Sequence, residues 1–118
     1  KLCSSFGKVM PLSESYFPLF CSIAGCAPAY AYMFIDSLAR SAVKNGMNKS
    51  VALEIAAQTV LGSAKKILES DEHPWELIDK VCSPGGTTIE GIVSLQKDGF
   101  ESAVCNAVDA ALQKDKKV

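Results

Sequence analysis

From Phe100 onward the apolar positions fall three and four residues apart. Phe100, Ala103, Val104, Ala107, Val108, Ala111 and Leu112 share one side of a helix, a face expected to be core. The same period recurs along most of the chain. No five-residue stretch joins strict alternation to β-branched enrichment, so the pattern predicts an all-α domain of about six helices. A short helix is expected over residues 13 to 24, with Ser13 as cap and Pro18 tolerated near its first turns. A second begins at Pro28, where proline suits the first helical position, and runs to Asn45 with Gly46 at the left-handed stop. Its stripe of Ala31, Phe34, Ile35, Leu38 and Ala42 is joined by a second apolar face of Tyr30, Met33 and Val43. The third, over residues 49 to 69 behind Asn48, is dense in small residues: Ala52, Ala56, Ala57, Thr59, Gly62, Ser63 and Ala64. Gly62 in mid-helix costs about 1 kcal/mol relative to alanine, so a tight crossing with another helix is expected there. Two helices that are apolar on more than one side predict a homodimer in which they pack against the partner subunit. A fourth helix over residues 74 to 81 and a fifth over 88 to 97, stopping near Gly99, complete the set.

Composition narrows the function classes. The chain has 118 residues, 48% of them hydrophobic and 21% charged, which fits one compact domain spanning residues 13 to 118. Residues 1 to 12 read as a connector, and a start at Lys1 in mid-pattern points to a piece of something longer. Twelve Lys and Arg against thirteen Asp and Glu give a formal charge of −1, and Arg40 is the single arginine, so the basic face that nucleic acid demands is missing. Lys114, Lys116 and Lys117 suit the C-terminal end of a helix dipole. Cys3, Cys21, Cys26, Cys82 and Cys105 are odd in number and make no C-x-x-C pair, and His73 is the one histidine. Neither a disulfide framework nor a metal site is predicted, and a reducing, cytoplasmic setting fits. Each cysteine is expected to be a buried or half-buried apolar residue. The 21 residues from Ser15 to Ile35 carry no charge and are long enough to span a membrane. Pro18, Gly25 and Pro28 are expected to break that run, which reads as interface rather than membrane span.

The chemistry concentrates in VCSPGGTTIEG, residues 81 to 91. A plain account is available: Pro84 ends one helix, Gly85 and Gly86 supply positive φ for a turn, and Thr87 with Glu90 forms a capping box for the next. One glycine would suffice for that. Two glycines and a threonine at a helix N-terminus leave several N–H groups facing one concavity, where the dipole favours an anion. With no lysine or arginine in the loop, a carboxylate suits it better than a phosphate. The hydroxyls of Ser83, Thr87 and Thr88 could touch a second heteroatom of the ligand. Paired carboxylates, a Ser/His/Asp set and a metal cluster are absent, so any reactive chemistry comes from elsewhere.

PWEL (residues 74 to 77) followed by VCSPGGTTIEG resembles the signature of pyrroline-5-carboxylate reductase. GCAPAY (residues 25 to 30), AAQTVLGSAK (residues 56 to 65) and GF before the alanine-rich last helix resemble that family's C-terminal half in the same order. The resemblance implies an all-helical dimerisation domain intertwined with its partner, as a homodimer or an oligomer of such dimers. It implies NADPH or NADH held mainly by an N-terminal Rossmann domain, whose G-x-G-x-x-G is not in this chain. It further implies reduction of 1-pyrroline-5-carboxylate to proline, with Ser83, Gly85, Gly86, Thr87 and Thr88 binding the substrate carboxylate and Thr88 reaching the ring nitrogen. This stretch alone would then be inactive. Ala24 stands where the family commonly has serine, so no hydroxyl contact is expected from that corner. The alternative is a non-catalytic helical assembly module whose loop is only a capped turn.

Overall fold

The computed structural model describes residues 13–117, and the connector expected over residues 1 to 12, with Cys3, lies outside them. All elements among the described residues are helical: α1 (Glu14–Lys44), α2 (Lys49–Glu69), α3 (Pro74–Lys80), α4 (Thr87–Lys97) and α5 (Phe100–Lys117). The predicted boundaries hold at most ends. The hydroxyl of Ser13 accepts from the N–H of Ser15, and Asn48 Oδ1 accepts from the N–H groups of Ser50 and Val51 at 2.9 and 3.4 Å. Gly46 and Gly99 stop their helices with φ of 104° and 79°.

Five helices stand where about six were expected, because the predicted break around Gly25 does not occur. The chain instead widens into a π-turn, Ser22–Cys26, and runs on as one helix. Proline at position 28 lacks an N–H and its ring would crowd the carbonyl of Ala24 in a regular turn. A π-turn immediately before it gives that carbonyl room, so the helix survives the proline. The punctuation argument against a membrane span therefore fails on geometry: α1 is long and apolar enough to cross a bilayer, by length and composition.

The described residues fall into two compact units, one of the segments up to Phe34 and from Ser102, the other of Ile35–Glu101. In the first, the Tyr30 hydroxyl donates to the carbonyl of Ala107 at 3.5 Å, and the rings of Phe17 and Phe20 stack at 6.3 Å between centroids. In the second, Asp36 accepts from Arg40 Nε at 2.5 Å and from Lys49 Nζ at 3.1 Å, joining the end of α1 to the start of α2 across the Gly46 turn. The Arg40 hydrogen bond first, then that of Lys49, holds the Asp36 carboxyl below its ordinary range. A depressed carboxylate contributes above its unfolded value and loses that contribution as pH falls through the folded one. We expect Asp36→Asn to lower the thermal midpoint slightly at pH 7, with the difference shrinking below about pH 4.

Very little of this chain is withdrawn from solvent. Among the described residues only Ser22, Ala39, Ala52 and Ala56 are buried. Two of the small residues expected to pack tightly, Ala52 and Ala56, do so. Gly62 faces open space, with no atom within 4 Å of a Cβ built there. In the expected stripe of α1, Ala31, Phe34 and Leu38 are exposed and Ile35 and Ala42 half-buried, and Met33 of its second apolar face is 71% exposed. The last helix departs from expectation too: Ala107, Val108, Ala111 and Leu112 are half-buried, but Phe100, Ala103 and Val104 are exposed. Cys21 and Cys82 are half-buried as expected, whereas Cys26 and Cys105 are exposed. So many exposed large apolar side chains are unusual for a soluble monomer and point to a covering partner.

Candidate functional site

The site is built outward from α3. Its last turn is continued by the N–H groups of Val81 and Cys82, which donate to the carbonyls of Ile78 and Asp79 at 3.1 and 3.2 Å. Pro84 then prevents further helix. The N–H of Gly86 donates back to the carbonyl of Ser83 at 3.0 Å, and Gly85 between them has φ of 71°. Proline second, a left-handed glycine third and a bond from the fourth residue to the first make Ser83 to Gly86 a type II β-turn.

The two glycines serve different needs. Gly85 supplies the positive φ that the turn requires. Gly86, expected to do the same, has φ of −84° and ψ of 179°, an extended conformation open to any residue. What excludes a side chain there is space: a Cβ on Gly86 would lie 2.5 Å from Ser83 Oγ and 3.2 Å from the Ser83 carbonyl oxygen. The serine hydroxyl thus lies over the glycine, at the mouth of α4.

The expected capping box is absent. α4 starts at Thr87, one residue earlier than predicted, so Gly86 is the cap residue and no side chain caps that end. A threonine inside the first turn cannot bridge that turn from outside, and Glu90 has no hydroxyl partner to reciprocate. Since intrahelical bonding begins further on, the N–H groups of Thr87, Thr88 and Ile89 have neither a side-chain nor an intrahelical acceptor. Ser83, Gly85, Thr87 and Thr88 are exposed and Gly86 is half-buried, which leaves the concavity open to solvent. Its donors and the positive end of α4 suit a small anion. Ala24 lies half-buried in the π-turn of the other unit.

Sequence reasoning missed the network that holds α3. His73 Nδ1 accepts from the N–H of Trp75 at 3.1 Å, and Glu76 Oε1 accepts from the N–H of His73 at 2.9 Å. This is a capping box, and the signal was legible: a hydrogen-bonding residue at 73, proline at the first helical position and glutamate at the third. Lys80 pairs with Glu72, and that bond draws the Glu72 carboxyl below its ordinary range. A groove of about 560 Å³ lies between α2 and α3, with Thr59, Gly62 and Ile67 on one wall and Pro74, Leu77 and Val81 on the other. No residue of the Ser83–Gly86 turn lines it, so the groove and the turn are separate features.

The family model for pyrroline-5-carboxylate reductase dimerisation matches residues 14–118. The chain is 43% identical over 113 residues to the pyrroline-5-carboxylate reductase of Escherichia coli K12, covering 96% of this chain and 42% of that enzyme. It is similar in structure to the Streptococcus pyogenes 1-pyrroline-5-carboxylate reductase, with a TM-score of 0.92 and 45% identity over 96% of this chain and 44% of that one. The Plasmodium falciparum pyrroline carboxylate reductase, solved with NADP bound, matches with a TM-score of 0.85 and 40% identity over 90% of this chain and 42% of its own. The chain thus spans less than half the length of these relatives.

Proposed function

Because this chain belongs to the pyrroline-5-carboxylate reductase dimerisation family, we propose that it forms the C-terminal, dimerising and substrate-binding part of a cytoplasmic pyrroline-5-carboxylate reductase, the enzyme that makes proline from 1-pyrroline-5-carboxylate. The observation that carries the proposal is the uncapped start of α4 behind the Ser83–Gly86 turn, set in a sequence that matches the family over residues 14–118. In this reading the N–H groups of Thr87 and Thr88 hold the substrate carboxylate, and Ser83 adds its hydroxyl. Gly85 shapes the turn and Gly86 keeps it close. Thr88 is the catalytic residue, its hydroxyl reaching the ring nitrogen.

NADPH or NADH supplies the hydride when bound, mainly through an N-terminal Rossmann domain. The residues of this chain offer no dinucleotide fingerprint and are assigned no part in holding it. Their contribution is orientation: fixing the small ring against a neighbouring reductant removes freedom that would otherwise raise the barrier. The homodimer covers the apolar faces of α1 and α2, and dimers of this kind could stack into larger oligomers.

Titrating the dimeric chain with proline while following amide signals tests the reading. The signals of Gly86, Thr87 and Thr88 should shift together and saturate. Silent loop amides would leave the helical assembly module as the account of this chain. In the full-length reductase Thr88→Ala should lower kcat/KM by about ten- to a hundredfold with dimerisation intact, the loss of one hydrogen bond to a charged or polarised group. The length and apolarity of α1 favour one other reading, a bilayer-embedded helix. A defined dimer sedimenting without detergent would dispose of it.

A further inference from the structure

The anion loop hangs from α3, and α3 has only seven residues. Two turns of helix do not persist on propensity alone, so α3 depends on the half-buried Leu77 and Ile78 beside α2 and on the groups at its ends. At its entry stand His73 and Glu76, each accepting from a backbone N–H of the first turn or its cap. Lys80, the last residue, reaches back along the helix to Glu72. At its exit Val81 and Cys82 continue the turn by backbone bonds, and the next carbonyl, that of Ser83, is the acceptor that fixes Gly86. The hydrogen-bonded path from His73 to the turn therefore passes through one short helix and no other element.

A histidine cap differs from serine, threonine, asparagine or aspartate in one respect. Its ring nitrogen accepts only while unprotonated, and histidine side chains commonly change charge between pH 5 and 8. We propose that His73 is a positioning residue for the carboxylate loop, whose protonation frees the Trp75 N–H, unwinds the first turn of α3 and loosens the Ser83–Gly86 turn. Ligand binding then weakens as the medium acidifies. The inference rests on the reading of that loop as a carboxylate site.

The charged groups next to His73 along the chain are Asp71, Glu72, Glu76 and Lys80; Glu76 accepts from the His73 N–H, and Lys80 and Lys66 of α2 act on Glu72. The three carboxylates attract an imidazolium, but none of them restores an acceptor to the Trp75 N–H. Protonation also sets a positive charge against the positive end of the helix dipole. Both effects run in the same direction, toward an open α3 in acid.

Amide and imidazole signals of the dimeric chain between pH 8 and 5 test this, comparing the parent with His73→Asn and His73→Ala. Asparagine caps well and does not titrate in this range. In the parent, the amides of Trp75, Gly85 and Gly86 should move with the midpoint of the His73 ring. In His73→Asn they should stay at their neutral positions throughout. His73→Ala at pH 8 should resemble the acid form of the parent, with proline affinity reduced about fivefold, the effect expected from a lost cap. Loop amides that stay still while His73 titrates, or that move equally in His73→Asn, would overturn the proposal. These shifts are read without ligand, so failure of proline to bind any variant counts against the carboxylate site alone and not against the coupling.

Discussion

If the proposed reductase function holds, Gly86→Ala in the full-length protein should lower kcat/KM about ten- to a hundredfold, and proline affinity of the isolated dimer by a similar factor, while α4 stays formed. The backbone at this position is extended, so alanine meets no torsional penalty. Its methyl group, however, would arrive 2.5 Å from Ser83 Oγ and 3.2 Å from the Ser83 carbonyl. The hydroxyl can rotate away at small cost. The carbonyl cannot, because it accepts the Gly86 N–H that closes the turn. The turn must open by a few tenths of an ångström, and the serine hydroxyl must leave the mouth of α4. Gly85→Ala makes the contrasting control. Nothing lies within 4 Å of a Cβ there, and its cost is the left-handed backbone, about 1 kcal/mol of local stability. Unchanged kinetics for Gly86→Ala would remove Ser83 and the turn from the proposed substrate site.

Leu61→Asp should raise the dimer dissociation constant by about a thousandfold or more, read by sedimentation equilibrium. Leu61 is 62% exposed in the middle of α2, beside Gly62 with its open flank. Burying a leucine is worth about 1.5–3 kcal/mol, and a two-fold interface uses the position twice. An aspartate at mid-helix also has no short route to solvent once covered. Helicity should fall with dissociation, because the buried residues among those described are three alanines and a serine, too little to hold helices alone. A variant that dimerises like the parent would place the interface on another face.

The loop was legible because its determinants are local. Pro84, Gly85 and Gly86 specify a type II turn within four residues, and a helix must start where hydroxyls and glutamate follow. The assignment of the cap was less so. Whether Thr87 or Gly86 precedes the helix depends on the carbonyl of Ser83 capturing the Gly86 N–H, a competition among neighbours with similar local preferences. His73 was overlooked for a different reason: a lone histidine suggests a metal or an acid–base pair, and its role as cap emerges only from the position of Nδ1 against the Trp75 N–H. The break expected at Pro28 shows the limit of punctuation. A single π-turn at Ser22–Cys26 accommodates the proline within one continuous helix.

By itself, the sequence determined helix content, the stops at Gly46 and Gly99, the cap at Asn48, and the cluster of donors behind Pro84. All of these depend on contacts between residues a few positions apart. Tertiary structure alone decided that α1 runs unbroken, that Gly86 is needed for space rather than for φ, and that the apolar stripes of α1, α2 and part of α5 face outward. Periodicity identifies which side of a helix avoids water, but the neighbour that covers it is a matter of long-range packing. Among the described residues, the chain itself supplies little of that covering.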